Sequence, residues 1–150
     1  RETIAVRSFR RHPTADVALV ELAQPAPARY ARVAVLPQRA RSRTGRALEI
    51  AGFGRRDDGA SSGGRADRLG VIATLAEAGA PLISVTSTRT GACFGDSGGP
   101  AYAVAGQLRA VAGVLSNGNP SCRGGDSYVS AGFYEAFLRS VAPELTFLDP

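Results

Sequence analysis

Apolar residues in this chain come in short runs, each cut off by glycine, proline or a polar turn residue, and this pattern constrains the fold class most. The runs are Thr3 to Val6, Val17 to Leu22, Ala47 to Ala51, Leu69 to Leu75, Leu82 to Thr86 and Leu108 to Leu115, all of strand length. No helical pattern intervenes between them, so an all-β antiparallel sandwich or barrel is favoured over a parallel α/β sheet. Two segments read as connections: Ala23 to Ala40, with prolines at 25, 27 and 37, and Gly54 to Arg65, rich in glycine, serine and charge. Near the end, Phe133, Tyr134, Phe137, Leu138 and Val141 recur at helical spacing and predict a short amphipathic helix that closes before Pro143.

The charge balance raises one rival function. Eighteen basic residues, all arginine, against 13 acidic ones give a net charge of +5, which would suit a polyanion-binding domain. The densest cluster, Arg39, Arg41, Arg43 and Arg46, has no interleaved aromatic to stack bases and reads as a solvated loop. Nucleic acid is therefore not expected as a partner. Neither is a membrane, because no apolar run approaches the roughly 20 residues of a spanning helix. The opening Arg1-Glu2-Thr3 carries no signal-peptide apolar region and reads as a mature or truncated start. A single histidine leaves no zinc-ligand set, and no metal or other cofactor is expected. The two cysteines, Cys93 and Cys122, are by composition equally a disulfide or two buried thiols.

The segment Gly91-Ala92-Cys93-Phe94-Gly95-Asp96-Ser97-Gly98-Gly99-Pro100 carries the chemistry. A serine hydroxyl is a weak nucleophile until a tight turn exposes it beside a base, and flanking glycines free the backbone to aim amide N–H groups into the same space. The amides of Gly95 and Ser97 would then form an oxyanion hole.

GDSGGP within CFGDSGGP resembles the nucleophile motif of the chymotrypsin/trypsin family of serine endopeptidases. Other segments agree in order. His12-Pro13 followed by Asp16-Val17-Ala18-Leu19-Val20-Glu21-Leu22 resembles the strand whose leading aspartate orients the catalytic histidine. Gly52-Phe53-Gly54 is similar to the Gly-Trp-Gly after the inter-barrel connection. Val114 to Gly118 followed by Cys122 resembles the substrate-binding strand and its cysteine, and Tyr128, Tyr134, Phe137 and Leu138 match the terminal strand and helix.

The resemblance implies a double six-stranded antiparallel β-barrel with a short C-terminal helix. The first barrel would be incomplete, with its remnant in residues 1–40, the second barrel in 41–142 and a tail in 143–150. It implies Ser97 as nucleophile and Asp16 as the carboxylate that fixes an imidazole's tautomer. The family triad is itself the standard worked case of this logic. His12 stands at a position the family carries as non-catalytic, so it is not assigned as the base. The family's histidine motif and its Ile-Val-Gly-Gly-like mature N-terminus lie upstream of the region matching Arg1. The chain is thus expected to be a fragment, inactive alone, whose partners are polypeptide substrates and a histidine-bearing N-terminal segment. Asp96 would pair with the freed N-terminal ammonium of that segment, or serve as a solvated or locally bonded turn residue. Cys93 and Cys122 would form the bridge beside the specificity pocket, which implies a secreted or periplasmic protein. Gly91, Ser116, Gly118 and Asp126 would contact substrate. Gly91 stands where basic-specific relatives carry an aspartate, and Asp126 where they carry a pocket-wall glycine, so the pocket charge would have changed walls. Alternatively, Arg123 to Asp126 is a solvated turn. The rival to catalysis is a protease-like domain that binds peptides without cleaving them.

Overall fold

The computed structural model describes residues 3–30, 32–40, 48–55, 67–71, 73–75, 80–87 and 91–148. The expected strand start at Ala47, the loop from residue 56 to Arg65, and Arg41, Arg43 and Arg46 lie outside these residues.

The first two strands form a hairpin. β1 (Val6–Arg11) and β2 (Ala18–Leu22) pair antiparallel, with Arg11 opposite Ala18 and Val6 opposite Leu22. The first strand therefore lies C-terminal to the expected Thr3 to Val6. Five of the six β1 positions are exposed, so no apolar alternation marks it in the sequence. What defines it is the backbone ladder to β2, with Glu21 accepting hydrogen bonds from Arg7 and Ser8, each at 2.9 Å.

The chain then runs through β3 (Ala34–Val35), a 3-10 turn at Gln38–Ala40, β4 (Leu48–Gly52), β5 (Asp67–Val71), β6 (Ala73–Leu75), β7 (Leu82–Ser87), β8 (Pro100–Ala105), β9 (Leu108–Asn117), β10 (Gly124–Ser130) and α1 (Glu135–Val141). The sheet order is β5-β4-β8-β9-β10-β7-β6. One residue separates β5 from β6, and they pair with β4 and β7 respectively. β5 and β6 thus stand at the two ends of the sheet order while being neighbours in the chain, which is the arrangement of an antiparallel sheet curled into a barrel. β3 adds to β9 in parallel, inside the segment expected to be a plain connection.

Two of these strands carry weak sequence signals. In β8 the inward residues are Ala101 and Ala103, both fully buried, and β10 opens on two glycines and an aspartate. The small side chains are complementary to large ones elsewhere in the same core cluster, where Ile50, Ile83, Val85 and Tyr128 are each at most 3 % exposed. Alternating large and small residues is how a narrow barrel fills its interior without strain.

A second cluster joins the hairpin and the helix to the barrel. Leu19 of β2 and Phe137 and Leu138 of α1 pack with Val35, Val111 and Ala131. Glu135, in the first turn of α1, accepts a 2.7 Å bond from the Gln38 N–H. That bond, reinforced by Arg139, holds the Glu135 carboxyl below its ordinary range. Residues beyond Pro143 are tied back as well, since the Leu148 N–H donates to the Val35 carbonyl and the Val35 N–H to that of Thr146.

This packing sets a stability expectation. Ile50→Ala should cost about 2–5 kcal/mol and Ala103→Leu about 1–3 kcal/mol, read from urea midpoints at constant slope. A loss under about 1 kcal/mol for Ile50→Ala would contradict its place in a filled barrel.

Candidate nucleophile site

The turn bearing Ser97 is built from two successive backbone bonds, Asp96 N–H to the Cys93 carbonyl at 3.0 Å and Gly99 N–H to the Asp96 carbonyl at 2.8 Å. Gly95 (φ +96°) and Gly98 (φ +78°) take left-handed conformations that a side chain would strain. The carboxylate of Asp96 folds inward and is only 6 % exposed. Its Oδ1 accepts from the Gly54 N–H at 2.7 Å and its Oδ2 from the Cys93 N–H at 2.9 Å. It is thus a buried residue, bonded to one amide of its own turn and to one beyond β4, rather than a solvated one. A Cβ on Gly52 would collide with Asp96 Oδ1, and one on Gly54 would lie 2.6 Å from Asp96 Cγ. The glycines flanking Phe53 therefore make room for this carboxylate. The Arg55 N–H donates to the Phe94 carbonyl at 2.9 Å and ties the turn to the same end of β4 a second time.

With Asp96 turned in, Ser97 is turned out and exposed. Among the described residues, neither the Gly95 nor the Ser97 N–H has an intramolecular acceptor. A cavity of about 490 Å³ opens beside them, walled by Phe53, Pro100 and Tyr102. Burial pushes the Tyr102 hydroxyl up, with Arg109 acting in the opposite direction.

The other side of the turn joins β9, where the Gly98 N–H donates to the Leu115 carbonyl and the Leu115 N–H to that of Gly99. The next residue, Ser116, donates its hydroxyl to Asp16 Oδ2 at 2.8 Å. The chain thereby brings Asp16, in the β1–β2 turn, to the strand that flanks Ser97. His12 is engaged elsewhere. Its Nδ1 accepts from the N–H groups of Thr14 and Ala15 at 3.2 and 3.1 Å, and its ring meets Tyr134 and Phe137 edge-on at centroid distances of 4.7 and 5.0 Å.

Gly91, Gly118 and Asp126 come together as a third group. Asp126 lies in β10 opposite Val85 and is 3 % exposed, so the solvated-turn alternative does not hold. Its Oδ2 accepts from the Ala92 N–H at 2.8 Å and its Oδ1 from the Asn119 N–H at 3.3 Å. A Cβ on Gly91 or Gly118 would lie 3.3 or 3.2 Å from these oxygens. Tyr128, 1 % exposed, records both buried carboxylates. Burial first, then the charges of Asp126 and Asp96, push its hydroxyl far above the usual phenol range. The sequence matched Tyr128 to the terminal strand but gave no sign of this electrostatic setting.

Cys93 and Cys122 form a disulfide with a Cα–Cα distance of 4.6 Å. It ties the segment leading into the Ser97 turn to the loop that precedes β10. For its sequence separation of 29 residues, the loop-entropy argument gives about 3–4 kcal/mol. The double variant Cys93→Ser/Cys122→Ser should lose stability of that order in denaturant titration, and the native protein should show no thiol reactive with a colorimetric reagent. Two reactive thiols before unfolding would contradict the bridge.

The trypsin family model matches residues 2–138. Among solved structures, a mutant of human heparin binding protein (CAP37) is similar, with a TM-score of 0.79 over 99 % of this chain and 70 % of that one. Identity is 19 %, so that likeness speaks to fold. A comparison with curated proteins found no match. With a family match over most of its length and a closed antiparallel barrel behind the GDSGGP turn, the chain belongs to the trypsin family and has its all-β fold.

Proposed function

We propose that this chain is the nucleophile-bearing part of a secreted serine endopeptidase, which hydrolyses peptide bonds through an acyl-enzyme. The observation that carries the reading is the 2.8 Å bond between Ser116 and Asp16. It sets a carboxylate from the β1–β2 turn beside the strand bonded to the Ser97 turn, which is where a base for Ser97 needs its orienting partner.

In this reading Ser97 attacks the scissile carbonyl, and the Gly95 and Ser97 amides receive the charge that develops on its oxygen. The imidazole that takes the serine proton comes from a polypeptide segment outside these 150 residues. His12, the one histidine in the sequence, has its Nδ1 occupied by its own turn. Asp16 fixes the tautomer of the incoming imidazole and stabilises its protonated form. Ser116 and Gly118 offer backbone groups to an extended substrate strand. Asp126, with the side-chain-free Gly91 and Gly118 against it, supplies a negative charge that favours a cationic side chain before the scissile bond. No cofactor takes part. The engagement of His12 also favours a second reading, a protease-like domain that binds peptides without cutting them.

Two measurements separate these readings. The purified 150-residue chain should turn over a peptide ester about 10⁴-fold or more below a complete triad enzyme. Robust turnover abolished by Ser97→Ala would show that a base is present within the chain. Once a histidine-bearing segment is supplied, a peptide library should be cleaved after Arg and Lys, and Asp126→Ser should reduce that preference by about tenfold or more. Unchanged cleavage in the variant would remove Asp126 from the specificity role, and no cleavage by the completed protein would favour the binding reading.

A further inference from the structure

Three points join the β1–β2 hairpin to the barrel and α1: Leu19 in the second apolar cluster, the Ser116–Asp16 bond, and the His12 ring against Tyr134 and Phe137. Two of the three meet in one turn of chain. The His12 N–H donates to the Val17 carbonyl at 2.9 Å, the Val17 N–H donates to the Ala15 carbonyl at 2.8 Å, and both the Thr14 and Ala15 N–H groups donate to His12 Nδ1. Asp16 sits inside this turn, so its position depends on bonds that the imidazole accepts.

An imidazole nitrogen accepts a hydrogen bond only while it carries no proton. Protonated Nδ1 is a donor, and here it would confront two other donors. The charged and titratable groups on the elements around His12 are Arg10 and Arg11 on β1, Asp16 in the turn, and Tyr134, Glu135 and Arg139 at the helix. Tyr134 is in ring contact, Asp16 is engaged by Ser116, and Glu135 is bonded to Arg139 and Gln38. No carboxylate is bonded to the ring among the described residues.

We infer that His12 is a pH-sensitive latch: while neutral it holds the Asp16 turn in register with Ser116, and on taking a proton it releases that turn. Acidification therefore frees the Thr14 and Ala15 amides and loosens the Asp16–Ser116 bond. The latch works through Asp16, so His12 is a positioning residue, and it operates whether or not the protein cleaves peptides.

Amide hydrogen exchange by NMR on the full chain at pH 8 and pH 5, corrected for intrinsic rates, tests the latch. In wild type, protection at Thr14 and Ala15 should fall by about tenfold or more at pH 5, in step with titration of the single histidine ring, while Val85 and Ala103 in the barrel stay protected. In His12→Asn, whose Oδ1 replaces Nδ1 as acceptor and does not take a proton in this range, protection at both amides should be the same at the two pH values. Equal protection at both pH values in wild type would overturn the latch, and so would an equal loss in His12→Asn. If the variant fails to fold, the wild-type comparison decides alone: loss that does not track the ring titration overturns the proposal.

Discussion

The carboxylate of Asp96 organises everything around Ser97. By turning inward to the amides of Gly54 and Cys93, it fixes the Ser97 turn at two points and leaves the neighbouring serine outward. An unpaired buried carboxylate would cost several kcal/mol. Two short N–H donors offset that cost here, and their geometry requires residues without side chains at positions 52 and 54. The disulfide then anchors the same turn to the loop leading into β10, so the exposed serine rests on rigid supports.

Asp126 repeats the device about the same tyrosine. Each of the two buried carboxylates bonds main-chain amides, and both raise the energy of ionising Tyr128 between them. Main-chain donors belong to the backbone and do not swing away as a side chain can, so a carboxylate held this way keeps its direction. For Asp96 the consequence is an ordered turn. For Asp126 it is a charge held between Gly91 and Gly118.

The GDSGGP turn was legible in the sequence because its chemistry needs a fixed order of residue types over adjacent positions. Asp16 drew notice only by its place upstream of that motif, since an aspartate before an apolar strand is common on its own, and the structure adds its bond to Ser116. The hydrophobic pattern found β2, β4, β5 with β6, β7 and β9, whose sequences all carry leucine, isoleucine or valine. It missed β8, where alanine fills the core, and β10, which opens Gly124-Gly125-Asp126, because a strand that contributes little apolar volume resembles a turn. β1 was displaced for a related reason, its residues being exposed on both faces. The seat of Asp96 between Gly52 and Gly54 is a contact across 42 residues, and spacing along the chain carries no record of such a meeting. The turn around His12 shows the same limit, because nothing local says which partner occupies an imidazole.

The inward carboxylate of Asp96 sets the conformation of the Ser97 turn. A crystal structure of the Asp96→Ala variant tests it directly. The account predicts that the Cys93–Gly99 segment shifts and that Gly95 leaves its left-handed conformation. A variant whose turn superimposes on the parent would contradict it.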